Sequence, residues 1–190
     1  KRMMSKVFFM NMRANFGENS FAKFKRLLKK LKLECPENAL VAVKLHFGEM
    51  GNLGFIHPIW VREVISYLKG LGGNPFLTDT NTLYAGSRKN APCHIQTALA
   101  NGFTYACVQA PIIIADGLRG EASVEVVINQ KHFKSVTVAQ IVHEADVLIS
   151  LAHFKGHGLA GFGGSLKNMG MGLADRKGKF KMHCEAIPLV

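Results

Sequence analysis

The feature that most restricts the fold of this chain is the regular exchange of short apolar runs with amphipathic segments, punctuated by glycine, proline and asparagine. LVAVKLHF (40–47), NPFLTDT (74–80), IIIAD (112–116) and DVLISL (146–151) have the length and near-uniform hydrophobicity of strands covered on both faces. The segments between them carry helical spacing. In HPIWVREVISYLKGLGG (57–73), Pro58 suits a first helical turn, Ile59, Val61, Val64, Ile65 and Leu68 form one apolar stripe, and Gly72 with Gly73 stops the helix. Residues 90–101, opened by Asn90 and Pro92, and residues 138–145 read as two further helices. Lys6 to Met10 reads as a first strand, and Ser20 to Leu33 as a basic helix with Ser20 as its cap. ASVEVVINQKHFKSVTV (122–138) breaks the rhythm with two β-rich runs around a polar turn, the pattern of a hairpin-like insertion. The fold class is therefore α/β, with a largely parallel sheet flanked by helices and a small β-hairpin-like insertion. We read residues 1–190 as a single α/β domain whose last part, 176–190, is a tail.

Composition narrows the function classes. A chain of 190 residues that is 48% hydrophobic and 19% charged supports one sizeable core. None of its apolar runs approaches the roughly 18 residues of a membrane span, and its start passes into strand-like residues rather than a leader, so no membrane partner and a cytoplasmic location are expected. The formal net charge of +11 sits largely on KFKRLLKKLK (23–32), where basic residues face away from Phe21, Phe24, Leu28 and Leu31, as on a solvated helix face. Nucleic-acid motifs and interleaved surface aromatics are missing, which disfavours a nucleic-acid partner. A small anionic ligand or an acidic electron-transfer protein suits this charge. Cys35, Cys93, Cys107 and Cys184 form no C-x-x-C pair and read as buried thiols, except Cys184, which follows His183 in the tail.

The chemistry gathers at strand ends, where an open α/β sheet presents ligands. Lys44, His46 and Glu49 follow the second strand. Asp79, Thr80 and Asn81 follow the third, with Tyr84, Arg88 and Asn90 close behind. Asp116 and Arg119 end the fourth, and His153, Lys155 and His157 the last. After them comes the most unusual stretch, GHGLAGFGGSLKNMGMG (156–172). Its glycines permit close approach of backbone to a ligand, and Lys167 with the amides of a helix start attracts an anion. The nucleotide motifs G-x-x-x-x-G-K-[ST] and G-x-G-x-x-G do not fit here, so the loop reads as a general carboxylate or phosphate cradle.

We expect His46, Asp79, Asn81, His153, His157, Ser165, Lys167 and Asn168 to line one cleft, with Gly163 and Gly164 in its wall, Lys44 beside it, and the helix after Gly164 pointing its amino end inward. His153 and His157 are candidates for acid/base work. A metal needs further ligands, which Glu49, Asp79, His46 or the His183–Cys184 pair supplies only if folding unites them. His57, His94, His132 and His143 read as helix-start or surface residues.

KLHFGEMGN (44–52), GGNPFLTDTNTLYAGSRKNA (72–91) and SLAHFKGHGLAGFGGSLKNMGMG (150–172) together resemble the family known as domain of unknown function 362, often described as uncharacterised iron–sulfur centre proteins. The resemblance implies a redox-associated α/β domain that binds a small anionic ligand or cofactor at the glycine loop. It also implies an iron–sulfur cluster only in a C-terminal extension beyond His183 to Pro188, a segment that this chain lacks. The same loop is similar to that of nickel-pincer lactate racemases, which implies acid/base or ligand roles for His153 and His157 and a cofactor-anchoring role for Lys167. A metal-cofactor isomerase and a non-catalytic electron-transfer or scaffold module stand as the alternatives.

Overall fold

The computed structural model of the chain describes residues 5–158 and 160–185. In chain order its elements are α1 (Ser20–Leu31), β1 (Leu40–Lys44), α2 (Pro58–Gly70), β2 (Asn74–Asp79), α3 (Ala91–Ala100), α4 (Tyr105–Val108), β3 (Ile112–Ile114), β4 (Ser123–Val127), β5 (Ser135–Ala139), α5 (Gln140–Glu144), β6 (Val147–Ser150), β7 (Lys155–His157), β8 (Gly161–Gly163), α6 (Ser165–Gly170) and α7 (Arg176–Glu185). Asparagines open two of the helices. Asn19, rather than Ser20, caps α1 by accepting from the Ala22 amide at 2.9 Å, and Asn90 caps α3 by accepting from the Cys93 amide at 3.0 Å. In both cases a side-chain oxygen satisfies an amide that the first turn leaves unpaired.

The main sheet is parallel throughout, in the order β3–β2–β1–β6. Parallel pairing needs covering crossovers, and α2 and α3 supply them. Val41, Val43, Leu45 and Leu77 are fully buried, packed in one cluster with Val61, Ile65 and Leu68 of α2 and with Phe47 and Phe103. Each such side chain contributes about 1.5–3 kcal/mol of apolar burial. α1 rides on α2 through Phe21, stacked on Trp60 at 4.4 Å, and Phe24, edge-on to the same ring at 5.3 Å. A smaller cluster joins Ala115, Ala139 and Val142 to Leu173. The antiparallel hairpin β4–β5 occupies the place of the insertion read from sequence, and a three-residue ribbon, β7–β8, folds the glycine-rich segment back on itself. Because the four main strands run the same way, the loops after each of them emerge at one edge.

Two further sequence expectations fail. Lys6 to Met10 forms no strand, with Val7 and Phe9 89% and 86% exposed, since a strand pattern is realised only where a sheet edge accepts it and none does among the described residues. The presumed tail is helical through Glu185. Asp175 starts that helix by accepting from the Gly178 amide at 2.8 Å, and the Lys179 ammonium donates to Thr80 Oγ1 and to the Asn81 carbonyl, which ties α7 to the end of β2. Residues 186–190 lie outside the described residues. No described helix is long and apolar enough to cross a membrane.

Candidate functional site

At the carboxyl edge of the sheet lies, first, a buried ionic layer. Asp79, the last residue of β2, receives Lys44 Nζ at 2.9 Å on Oδ1 and Arg88 Nη1 at 3.1 Å on Oδ2. The Thr80 amide also donates to Oδ1, at 2.8 Å. His94 Nε2 stands 3.5 Å from Oδ2, just short of hydrogen-bond geometry, and among the described residues neither of its ring nitrogens has a hydrogen-bond partner. Burial pushes the Asp79 carboxyl up, but Lys44, His94 and Arg88 outweigh it and hold the group well below the usual carboxylate range. Arg88 continues outward to Glu49, with Nε at 2.8 Å and Nη2 at 2.6 Å from Oε1, while Ser87 and Tyr84 donate their hydroxyls to the same carboxylate. This pairing clamps the loop before α3 to the loop after β1. On the opposite flank Asn81 donates from its amide nitrogens to Asp116, and burial pushes the Asp116 carboxyl up.

Above this layer is a cleft of about 110 Å³, lined by His46, Gly54, Ala152, His153, Lys155, His157, Gly163, Gly164, Lys167, Asn168, Met171 and Gly172. No aspartate or glutamate is among these lining residues. Asn168 fixes the seam between layer and cleft. Its Oδ1 accepts from Lys44 Nζ at 2.8 Å, and its Nδ2 donates to Ser150 Oγ at 3.0 Å and to the Lys44 carbonyl at 3.3 Å. The packing there is tight enough to demand glycine at 172, because a Cβ would lie 2.2 Å from the Asn168 carbonyl oxygen and 2.6 Å from Lys44 Nζ.

The histidines are oriented from below. His46 Nδ1 accepts from the Gly48 amide at 2.9 Å, so the neutral ring carries its proton on Nε2. Burial, reinforced by Arg88 and only partly opposed by Asp79, lowers the His46 pKa to about 4. His157 Nδ1 accepts from the Ala160 amide at 3.1 Å, an interaction that sets its ring within the β7–β8 turn. Burial lowers the Lys167 pKa, and Lys155, Lys44 and Arg88 push it the same way. Among the described residues the cleft thus concentrates positive charge with no carboxylate in its lining.

Of the residues expected to share a cleft, His46, His153, His157, Lys167 and Asn168 do so, and Gly163 and Gly164 form part of its wall. Lys44, Asp79 and Asn81 do not line it. They are buried one layer down, because a charged or amide side chain at a strand end is also what an ionic core requires. Ser165 is exposed and outside the lining, as its place at the start of the six-residue α6 turns it away. His94, read as a helix-start or surface residue, is fully buried against Phe47 and Asp79. Sequence reasoning missed the structural weight of Lys179, whose pKa burial lowers to about 8 against the pull of Asp79 and Asp116. Among the described residues no three of His, Cys, Asp and Glu are grouped to hold a metal ion.

Comparison with solved structures places this architecture. The lactate racemase apoprotein from Thermoanaerobacterium thermosaccharolyticum has a similar fold, with a TM-score of 0.56 and 16% sequence identity over 80% of this chain and 34% of that one. The present chain therefore spans about a third of the racemase's length. No curated protein matches the sequence. Every residue of the ionic layer and of the cleft falls within residues 41–188, the span matched by the model of the family described as domain of unknown function (DUF362), and the chain belongs to that family.

Proposed function

We propose that the chain binds a small anion, a carboxylate or a phosphate, in the cleft between the β7–β8 ribbon and α6. The observation that carries this reading is the lining itself: Lys155, Lys167 and three histidines without a carboxylate among them. A partly buried ammonium with no carboxylate beside it among the described residues is costly, and an entering anion relieves that cost while the oriented imidazoles donate to it. The test is titration of the protein with inorganic phosphate and with lactate, followed by calorimetry, for wild type and Lys167→Ala. Saturable binding that disappears in Lys167→Ala, with a melting temperature unchanged to within about 2 °C, is the expected result, since an incompletely buried lysine on a short helix adds little to the core. Unchanged binding, or an unfolded variant, overturns the reading.

A second reading, an isomerase-like enzyme acting on a bound carboxylate, is favoured by the fold shared with a lactate racemase and by the ring of histidines around one cleft. Moving a proton at the carbon beside a carboxylate needs a base within reach of that carbon and cations for the developing charge. His153 and His157 would supply the first, Lys155 and Lys167 the second, and neutral His46 a hydrogen-bond donor. The cleft formed by these residues, about 110 Å³, is smaller than the roughly 300–1000 Å³ typical of cofactor pockets, and no step is routed through a nickel-pincer cofactor. Exchange of the lactate Cα proton in heavy water, absent from His153→Ala and His157→Ala, supports this reading; no exchange in wild type removes it and leaves anion binding standing.

A further inference from the structure

Across α6 from the anion cleft lies a second and much larger one, of about 430 Å³ against about 110 Å³. That volume is within the range of sites for drug-sized molecules. Val136 and Val138 of β5 form one wall, Leu173 and Met182 the other, and Met169 of α6 closes the end nearest the anion cleft. Polar groups of the β5 wall are already engaged, since Thr137 Oγ1 donates to Asp175 and Ser135 Oγ to Glu125. With those hydroxyls engaged, the side chains of the interior present mainly apolar atoms.

The mouth is different. Lys177 and Lys181 stand one turn apart on α7 and so project side by side. Lys181 Nζ is 5.6 Å from the centroid of the Phe133 ring, arched over the opening. Neither lysine takes part in a salt bridge among the described residues, and Glu125, the one carboxylate in the lining, is held by Ser135. An apolar cavity whose lining carries two ammonium groups against one carboxylate, a net positive charge, matches a molecule that is apolar along its body and anionic at one end.

We infer that this cleft binds an anionic amphiphile, with the chain or ring body between Val138 and Leu173 and a carboxylate or sulfonate head on Lys177 and Lys181. The inference is independent of what occupies the anion cleft. Because Met169 and Asn168 are neighbours on α6, a molecule seated here presses on the same short helix that carries Lys167.

The test uses the whole chain with 1-anilinonaphthalene-8-sulfonate as a fluorescent probe and decanoate as competitor. One saturable probe site per chain is expected, displaced by decanoate. The double variant Lys177→Glu/Lys181→Glu, changed only at exposed positions, should weaken decanoate at least tenfold with an unchanged circular dichroism spectrum. Neutral decanol should compete at least tenfold less well than decanoate. Absence of saturable binding, an unaltered affinity in the double variant, or equal competition by decanol each overturns the proposal. A single-site loss of amide intensity at Val136 and Val138 in nuclear magnetic resonance spectra on adding decanoate supports it independently, and perturbation confined to α1 overturns it.

Discussion

Two charged layers share one sheet edge and differ in whether their charge is balanced. In the lower layer Lys44 and Arg88 meet Asp79 and Glu49 in a closed set of ion pairs. In the upper, Lys155 and Lys167 face three histidines and no carboxylate. The residue types overlap, yet their physical roles are opposite. Balanced charges in a dry setting fix the loops that emerge from β1 and β2, because each ion's loss of water is offset only by its partner. Unbalanced charges leave a net positive potential. Compensation, more than polarity or burial, separates scaffold from site here.

The comparison can be broken most directly at Asp79. Asp79→Asn leaves Lys44 and Arg88 without their shared counter-charge, and chemical denaturation should register a loss of about 3–5 kcal/mol; a variant of native stability would mean that the lower layer is not a closed ionic set. Gly172→Ala forces a methyl into the seam between layers. Overpacking there should cost about 1–3 kcal/mol, lower the denaturation midpoint without altering the slope, and weaken anion binding as Lys44 and Asn168 shift. A neutral effect on both readouts would show that the layers are not mechanically joined.

His46 sharpens the comparison through pH. Its pKa falls from 6.5 to about 4 on folding, so between those values the unfolded chain holds the proton that the folded chain refuses. The associated stability is present in full above about pH 6.5 and is lost as pH falls towards 4, by at most about 3 kcal/mol. Melting curves of His46→Asn should be flatter than wild type across that window, and parallel curves would remove His46 from the account. The smallest effect is expected at Lys155, which is exposed. Lys155→Ala should weaken phosphate binding by roughly 0.2–1 kcal/mol, a difference that fades as salt is raised. In wild type, anion binding should decline with rising pH before the ordinary lysine range is reached, because the Lys167 pKa is lowered and its charge is lost early.

Much of this was legible in the sequence. The four parallel strands announce themselves because strands covered on both faces must be apolar at nearly every position, and Pro58, Asn90 and Gly72 mark helix ends by local backbone chemistry alone. Lys6 to Met10 has the pattern of a strand but lacks an edge to pair with, and pairing is a property of two segments. α7 escaped notice since RKGKFKMHCE has no apolar stripe; its attachment depends on a buried ammonium, and nothing in a lysine's neighbours along the chain says that it points inward. At the site, the glycine loop, Lys167, Asn168 and the histidines were readable as a group. Depth was not. Lys44, Asp79 and Asn81 lie at strand ends just as the cleft residues do, and only the packing of α3, α6 and α7 over them decides that they lie beneath the cleft rather than line it.

The side chain of Asn168 has a consequence for motion. Both of its amide hydrogens and an oxygen lone pair are committed to Lys44, Ser150 and the backbone of β1, so it has no donor left for a ligand and serves as a rivet that moves only when the sheet moves. Lys167, its neighbour on the same short helix, makes no such hydrogen bond among the described residues, and its ammonium ends a flexible four-carbon stem. The cleft therefore joins a fixed floor to an ammonium carried on a rotatable stem.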